Sequence, residues 1–181
     1  MVPEIEWRYN MRRHMQEVYP GLYLGPLSAV CEAKLPELET AGITHVLCVR
    51  SDVEASVMRP KFPQLFTYME VEMTESTPLS SVLPQSLAFI SSCREGEGRC
   101  LVQGFSGACR SAAIAVAFIM FDMHIPAVEA VQKVAAHRFC LTITPELLEQ
   151  LRQYDAEVTS AQRARPMTPS DDDPPAKKAR I

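Results

Sequence analysis

The segment RSAAIAVAFIMFDM, from Arg110 to Met123, limits the possible folds more than any other in the chain. Its residues are apolar nearly all round, so a helix made from them has no face to turn to water and must lie at the centre of a domain. The strand-like run CLVQ (Cys100 to Gln103) and a short turn come directly before it. Strand, tight loop and buried helix in immediate succession are a building unit of α/β domains.

The rest of the chain alternates in the same way. PGLYLGP (Pro20 to Pro26) sets a short apolar strand between two turn signals, and Ser28 is placed to cap a helix running through Glu39, with Leu35 and Leu38 on its apolar side. Ala41-Gly42 ends that helix, and THVLCV (Thr44 to Val49) is a continuous apolar run suited to a strand buried on both faces. FTYMEVEM (Phe66 to Met73) alternates like a strand, SVLPQSLAFISSC (Ser81 to Cys93) reads as a helix, and Gly96 and Gly98 mark the turn into Cys100. Further helices are expected from about Pro126 to His137 and from near Pro145 onward. There is no internal repeat. At 181 residues and 47% apolar composition the chain supports one core, placed in residues 1–160. Residues 161–181 contain RARPMTPSDDDPPAKKARI, rich in proline and charge and poor in large apolar residues, and are expected to be a disordered tail.

Several function classes fall away on composition. A formal net charge of −4 provides no broad cationic surface for nucleic acid or anionic lipid, so any anion site must be local. Cys31, Cys48, Cys93, Cys100, Cys109 and Cys140 form no C-x-x-C pair, and His14, His45, His124 and His137 share no metal-ligand spacing. Neither a metal nor a cofactor is expected. With no signal-peptide pattern and no apolar run of membrane-spanning length, the expectation is a soluble monomer of cytoplasm and nucleus. The nuclear part rests on RAR (163–165) and KKAR (177–180), which also read simply as a solvated tail. Thr168-Pro169 and Ser170, followed by Asp171, Asp172 and Asp173, have the look of kinase acceptor sites. Trp7 and the Arg12-Arg13 pair read either as a docking surface or as a packed residue beside two solvated cations.

The chemistry concentrates in VQGFSGACRS, Val102 to Ser111. A strand ending at Gln103, a turn through Gly104 and Gly107 and a helix starting at Arg110 would point backbone N–H groups inward as an anion nest. The helix N-terminus would add its partial positive charge and Arg110 a bidentate grip on phosphate. The loop resembles the H-C-x-x-G-x-x-R-S signature of the cysteine-dependent protein phosphatases, the dual-specificity group in particular, with Gly107, Arg110 and Ser111 in matching places. WRYNMRRHMQEVYPGLYLGPLSA, AGITHVLCVR, FPQLF and RSAAIAVAFIM are similar to the pseudophosphatase branch of that group, over roughly Trp7 to Tyr154. The resemblance implies an α/β fold with a central, mostly parallel sheet flanked by helices. It also implies a phosphate-binding loop made of Gly104, Phe105, Ser106, Gly107, Ala108, Cys109, Arg110 and Ser111.

Where the family has histidine and the nucleophilic cysteine, this chain has Gln103 and Gly104. That branch also has glycine for the nucleophile, but keeps the histidine. Glycine offers no atom to attack phosphorus, so the covalent route through a low-pKa thiolate is closed. Cys109 lies five residues past the nucleophile position and is out of register for that role. Alignment from Tyr68 puts Glu75 where the family has its aspartate general acid, with Glu72 the alternative and a solvated surface glutamate the plainer reading. Phe105 reads as a rim aromatic or a packed loop residue. The function expected is a catalytically inactive homologue that binds phosphorylated signalling proteins. By resemblance these include mitogen-activated protein kinases and an F-box subunit of a ubiquitin ligase. A phosphate-independent scaffold and an atypical phosphatase are the alternatives.

Overall fold

The apolar runs become the middle of a five-stranded sheet. In the computed structural model, which describes residues 7–164, strands β1 (Gln16–Tyr19), β2 (Leu22–Pro26), β3 (His45–Arg50), β4 (Thr67–Glu72) and β5 (Cys100–Gly104) lie in the order β1-β2-β5-β3-β4. Every residue of β2 and β5 is buried, as strands covered on both faces must be. Only β1 runs antiparallel to its neighbour; β2, β5, β3 and β4 are parallel, so the loops leaving their C-terminal ends gather at one edge of the sheet.

Alternation along the strands divides the core in two. Cys100 and Val102 face the cluster built on helices α2 (Leu79–Glu95), α3 (Arg110–Met123), α4 (Ala127–His137) and α5 (Pro145–Ala164), while Leu101 faces Met15, Tyr23, Leu38, Phe62 and Phe66 on the other side. Helix α3 is the centre of the first cluster: all residues from Ser111 to Met120 are buried. Four alanines in that stretch, at 112, 113, 115 and 117, let its backbone approach the sheet and the surrounding helices closely. None of the described helices is by itself long and apolar enough to cross a membrane.

Two sequence expectations give way. The helix expected from Ser28 through Glu39 is broken into 3-10 turns at Leu27–Ala29 and Glu32–Lys34, followed by a short helix α1 (Leu35–Thr40). The chain leaves helical geometry at Val30 and Cys31, and Pro36, which has no N–H to bond back to Glu32, stands in the first turn of α1, where no intrahelical bond is lost. Ser28 caps nothing; its hydroxyl donates to the carbonyl of Arg13 at 3.1 Å. Strand β1 was not expected at all, being four residues long with Val18 alone buried. Helix α5 reaches Ala164, four positions beyond the expected domain end at 160, and the tail motifs from Arg165 onward lie outside the described residues.

Packing around α3 makes a direct prediction. Ala115→Leu adds three carbons at a site of 0% exposure, and is expected to cost about 1–3 kcal/mol through overpacking. A thermal melt should show a fall of about 2–4 °C for each kcal/mol.

Candidate functional site

Strand β5 delivers the chain to the C-terminal edge of the sheet, and α3 begins six residues after Gly104. Between them the backbone is held entirely by its carbonyls. Phe105 O accepts from Leu27 N (3.2 Å), Ala108 O from Thr142 N (2.8 Å) and Cys109 O from Ala113 N (2.9 Å). Ser106 O and Gly107 O accept from the guanidinium of Arg138 at 3.1 and 2.7 Å. The N–H groups of residues 105–109 donate to no described residue. A loop whose carbonyls are tied outward and whose amides are unspent has the construction of an anion nest, and here it opens at the N-terminus of α3.

Gly107 is required by two facts. It has φ +64°, and a Cβ there would overlap the C and O of Gly25 and lie 2.7 Å from Pro26 N, so the loop rests directly on the backbone of β2. Arg138, at the end of α4, was missed by sequence reading. It is fully buried and donates as well to His14 O (2.9 Å), Arg12 O (3.2 Å) and the side-chain oxygen of Gln16. Its partners are four carbonyls and an amide oxygen, with no carboxylate among the described residues to cancel its charge, so a cation stands behind the nest.

The cup enclosed by the loop is small, about 40 Å³, and is lined by Val49, Gly104, Phe105, Ser106, Gly107, Cys109, Arg110 and Ser111. Of the residues expected to hold phosphate, all but Ala108 line it; Ala108 faces a neighbouring groove. Gln103 is buried at the strand end and does not line the cup. Phe105 stands on the rim with 54% exposure. A Cβ on residue 104 would run into the Ser111 hydroxyl and stand 2.9 Å from Ser111 Cβ. Ser111 thus fills the space a side chain at 104 would start in. Its hydroxyl has no partner among the described residues and is available to an anion in the cup.

Arg110 lines the cup and is anchored from behind. One terminal nitrogen donates to Met73 O (2.5 Å) and the other to Glu54 Oε1 (2.6 Å), leaving the rest of its five N–H donors for a ligand. Glu54 lies in the turn after β3, 56 residues away. Burial pushes its carboxyl up, but the Ser51 N–H (2.7 Å) and the Arg110 guanidinium outweigh that and hold it below the ordinary value of 4.5. Glu75 lies exposed in the turn after β4, and neither it nor Glu72 lines the cup. The described residues contain no cluster of three metal-ligating side chains, and all six cysteines are free.

Fold and loop together define a protein-phosphatase scaffold. The chain belongs to the family of the dual specificity phosphatase catalytic domain, whose model matches residues 22–157. Within that family it is similar to serine/threonine/tyrosine-interacting protein A of Xenopus laevis, with 39% identity over 154 residues that make up 83% of this chain and 69% of the relative. The human serine/threonine/tyrosine-interacting protein is 38% identical over the same shares. The crystal structure of the human tyrosine phosphatase-like serine/threonine/tyrosine-interacting protein superposes with a TM-score of 0.77 at 35% identity, covering 81% of this chain and 99% of that one.

Two substitutions follow from these contacts. Arg138→Met keeps much of the volume but strands the carbonyls of Ser106 and Gly107; a denaturant titration should show a loss of about 3–5 kcal/mol. Glu54→Gln is expected to cost about 1–2 kcal/mol at neutral pH. Because the folded carboxyl titrates below 4.5, its contribution is complete above that pH and fades as pH falls through the lowered folded value. Melting temperatures of wild type and variant should therefore converge as the buffer is taken down from pH 4.5.

Proposed function

We propose that this chain is a catalytically inactive phosphatase homologue that binds phosphorylated residues of signalling proteins and acts as competitor, anchor or scaffold. The observation that carries this reading is the loop of tied carbonyls and unspent amides, closed by a pre-oriented Arg110. A phosphate entering the cup meets backbone donors, the Ser111 hydroxyl, the remaining N–H groups of Arg110 and the positive end of α3.

Turnover lacks its parts. Gly104 has no nucleophilic atom, and removal of the nucleophile from a covalent-intermediate mechanism lowers rates by on the order of a millionfold. Among the described residues no histidine lines the cup, and Glu54, the carboxylate drawn to it, is committed to Arg110 and Ser51. The family's thiolate would put negative charge under a bound dianion; glycine removes that repulsion and leaves the amides and arginine in place. Mitogen-activated protein kinases and an F-box ubiquitin-ligase subunit, in cytoplasm and nucleus, are the partners and setting that the family resemblance suggests.

Calorimetric titration with a matched pair of peptides, phosphorylated and not, tests the reading. The phosphorylated peptide should bind at about micromolar to millimolar Kd and the other should not. Arg110→Ala should weaken that binding at least about tenfold while leaving the fold intact. Equal binding to both peptides, or steady release of phosphate from an aryl phosphate above background, would overturn it.

A further inference from the structure

Strand β1 stands at the edge of the sheet and pairs with β2 alone; among the described residues nothing takes up the backbone groups on its other side. An open strand edge is a template for another length of chain, and native proteins commonly cover it. Beside this edge, between β1 and α4, runs a groove of about 740 Å³. Its lining is mainly apolar, with Met11, Val18, Pro20, Met123 and Ala136, while Lys133 and His137 stand on its helix side. Lys133 has Glu129 at 3.9 Å, the outer limit of an ion pair, and so retains most of its capacity for an acid. Glu17, the carboxylate on the strand side, is committed to the N–H of Gly21 at 2.9 Å.

The chain itself arrives at one end of this groove. The N–H of Arg8 meets the sulfur of Met11 at 3.3 Å, and Met11 is part of the groove lining. Gln16, at the start of β1, donates to the carbonyl of Met11 at 2.8 Å and fixes that turn to the strand. Upstream of this point are residues 1–6, MVPEIE, which lie outside the described residues. Their composition complements the groove: Val2 and Ile5 are apolar, Glu4 and Glu6 are acidic, and there is no lysine or arginine among them. Pro3 favours an extended chain with three residues per turn, in which Val2 and Ile5 share one face and Glu4 and Glu6 flank it on either side. Six residues in that form span about 19 Å, more than the roughly 13 Å of a strand as short as β1.

We infer that residues 1–6 dock in this groove as a strap, running back along β1 from Arg8 toward Tyr19 and Met123. Val2 and Ile5 enter the apolar lining, and the two glutamates meet Lys133 and His137 on one side and the outward N–H groups of β1 on the other. The strap leads into the turn Tyr9–Arg13, whose Arg12 carbonyl is held by Arg138. The covered edge of the sheet and the loop at the cup are thereby tied to one buried side chain. The docking does not depend on what the cup binds.

The test is hydrogen exchange, read by mass spectrometry on the full chain over the segment from Gln16 to Tyr19. Its outward amides should exchange at least about tenfold more slowly in the wild type than in Ile5→Asp or in a chain lacking residues 1–6. Lys133→Glu, a change on the groove side, should speed the same amides by a smaller factor of about two to five. Melting curves taken alongside establish that each variant is folded. Equal exchange in the wild type and Ile5→Asp would overturn the inference. Protection that is lost when the wild type is diluted would also overturn it, by assigning the groove to a second copy of the chain.

Discussion

A buried arginine with no acid beside it among the described residues organises the structure around the loop. Placing the Arg138 charge out of water is costly unless its donors are met, and the oxygens that meet them belong to two chain segments about ninety residues apart in sequence. The arrangement has a polarity. Because the guanidinium draws the loop carbonyls of Ser106 and Gly107 to itself, the peptide planes turn their N–H groups the other way, toward the cup. The proposed anion site is in this sense the far side of a cation's solvation shell, and both must form together.

The site also divides its electrostatic work. Arg110, the cation of the proposed phosphate site, is held by a carboxylate, whereas Arg138 is held by carbonyls. Glu54 reduces the net charge Arg110 offers to a ligand but fixes the direction of its fork. For an anion that already has backbone amides and a helix terminus to bind, direction matters more than a further fraction of charge. An arrangement of this kind favours binding of a fixed shape over attraction of any anion that diffuses past.

What could be read from sequence follows a physical line. The α3 segment, the middle strands and the loop were legible because each is a local pattern: an all-apolar helix, short apolar runs, glycines before an arginine. The dual-specificity-phosphatase-like α/β fold that the resemblance implied is the fold found. Strand β1 was illegible because an edge strand with a single buried residue, Val18, has almost no period to detect. The helix read through Ser28 to Glu39 failed in part for a local reason that was available, the proline at 36, which cannot bond back to Glu32; the non-helical backbone at Val30 and Cys31 has no such signal. Glu54 and Arg138 lie beyond such reading, since their roles arise only when segments 56 and 31 residues apart are brought together. Nothing near Arg138 in the chain distinguishes it from a surface arginine.

The contact between Gly107 and the backbone of Gly25 and Pro26 has a mechanical meaning. Where most loops sit on side chains, whose rotamers shift when a core is repacked or warmed, this one is seated peptide plane against peptide plane. Such a seat has no soft degrees of freedom, and it works as a datum from which the height of the cup above the sheet is set. The core beneath can drift in composition while the receptacle keeps its level.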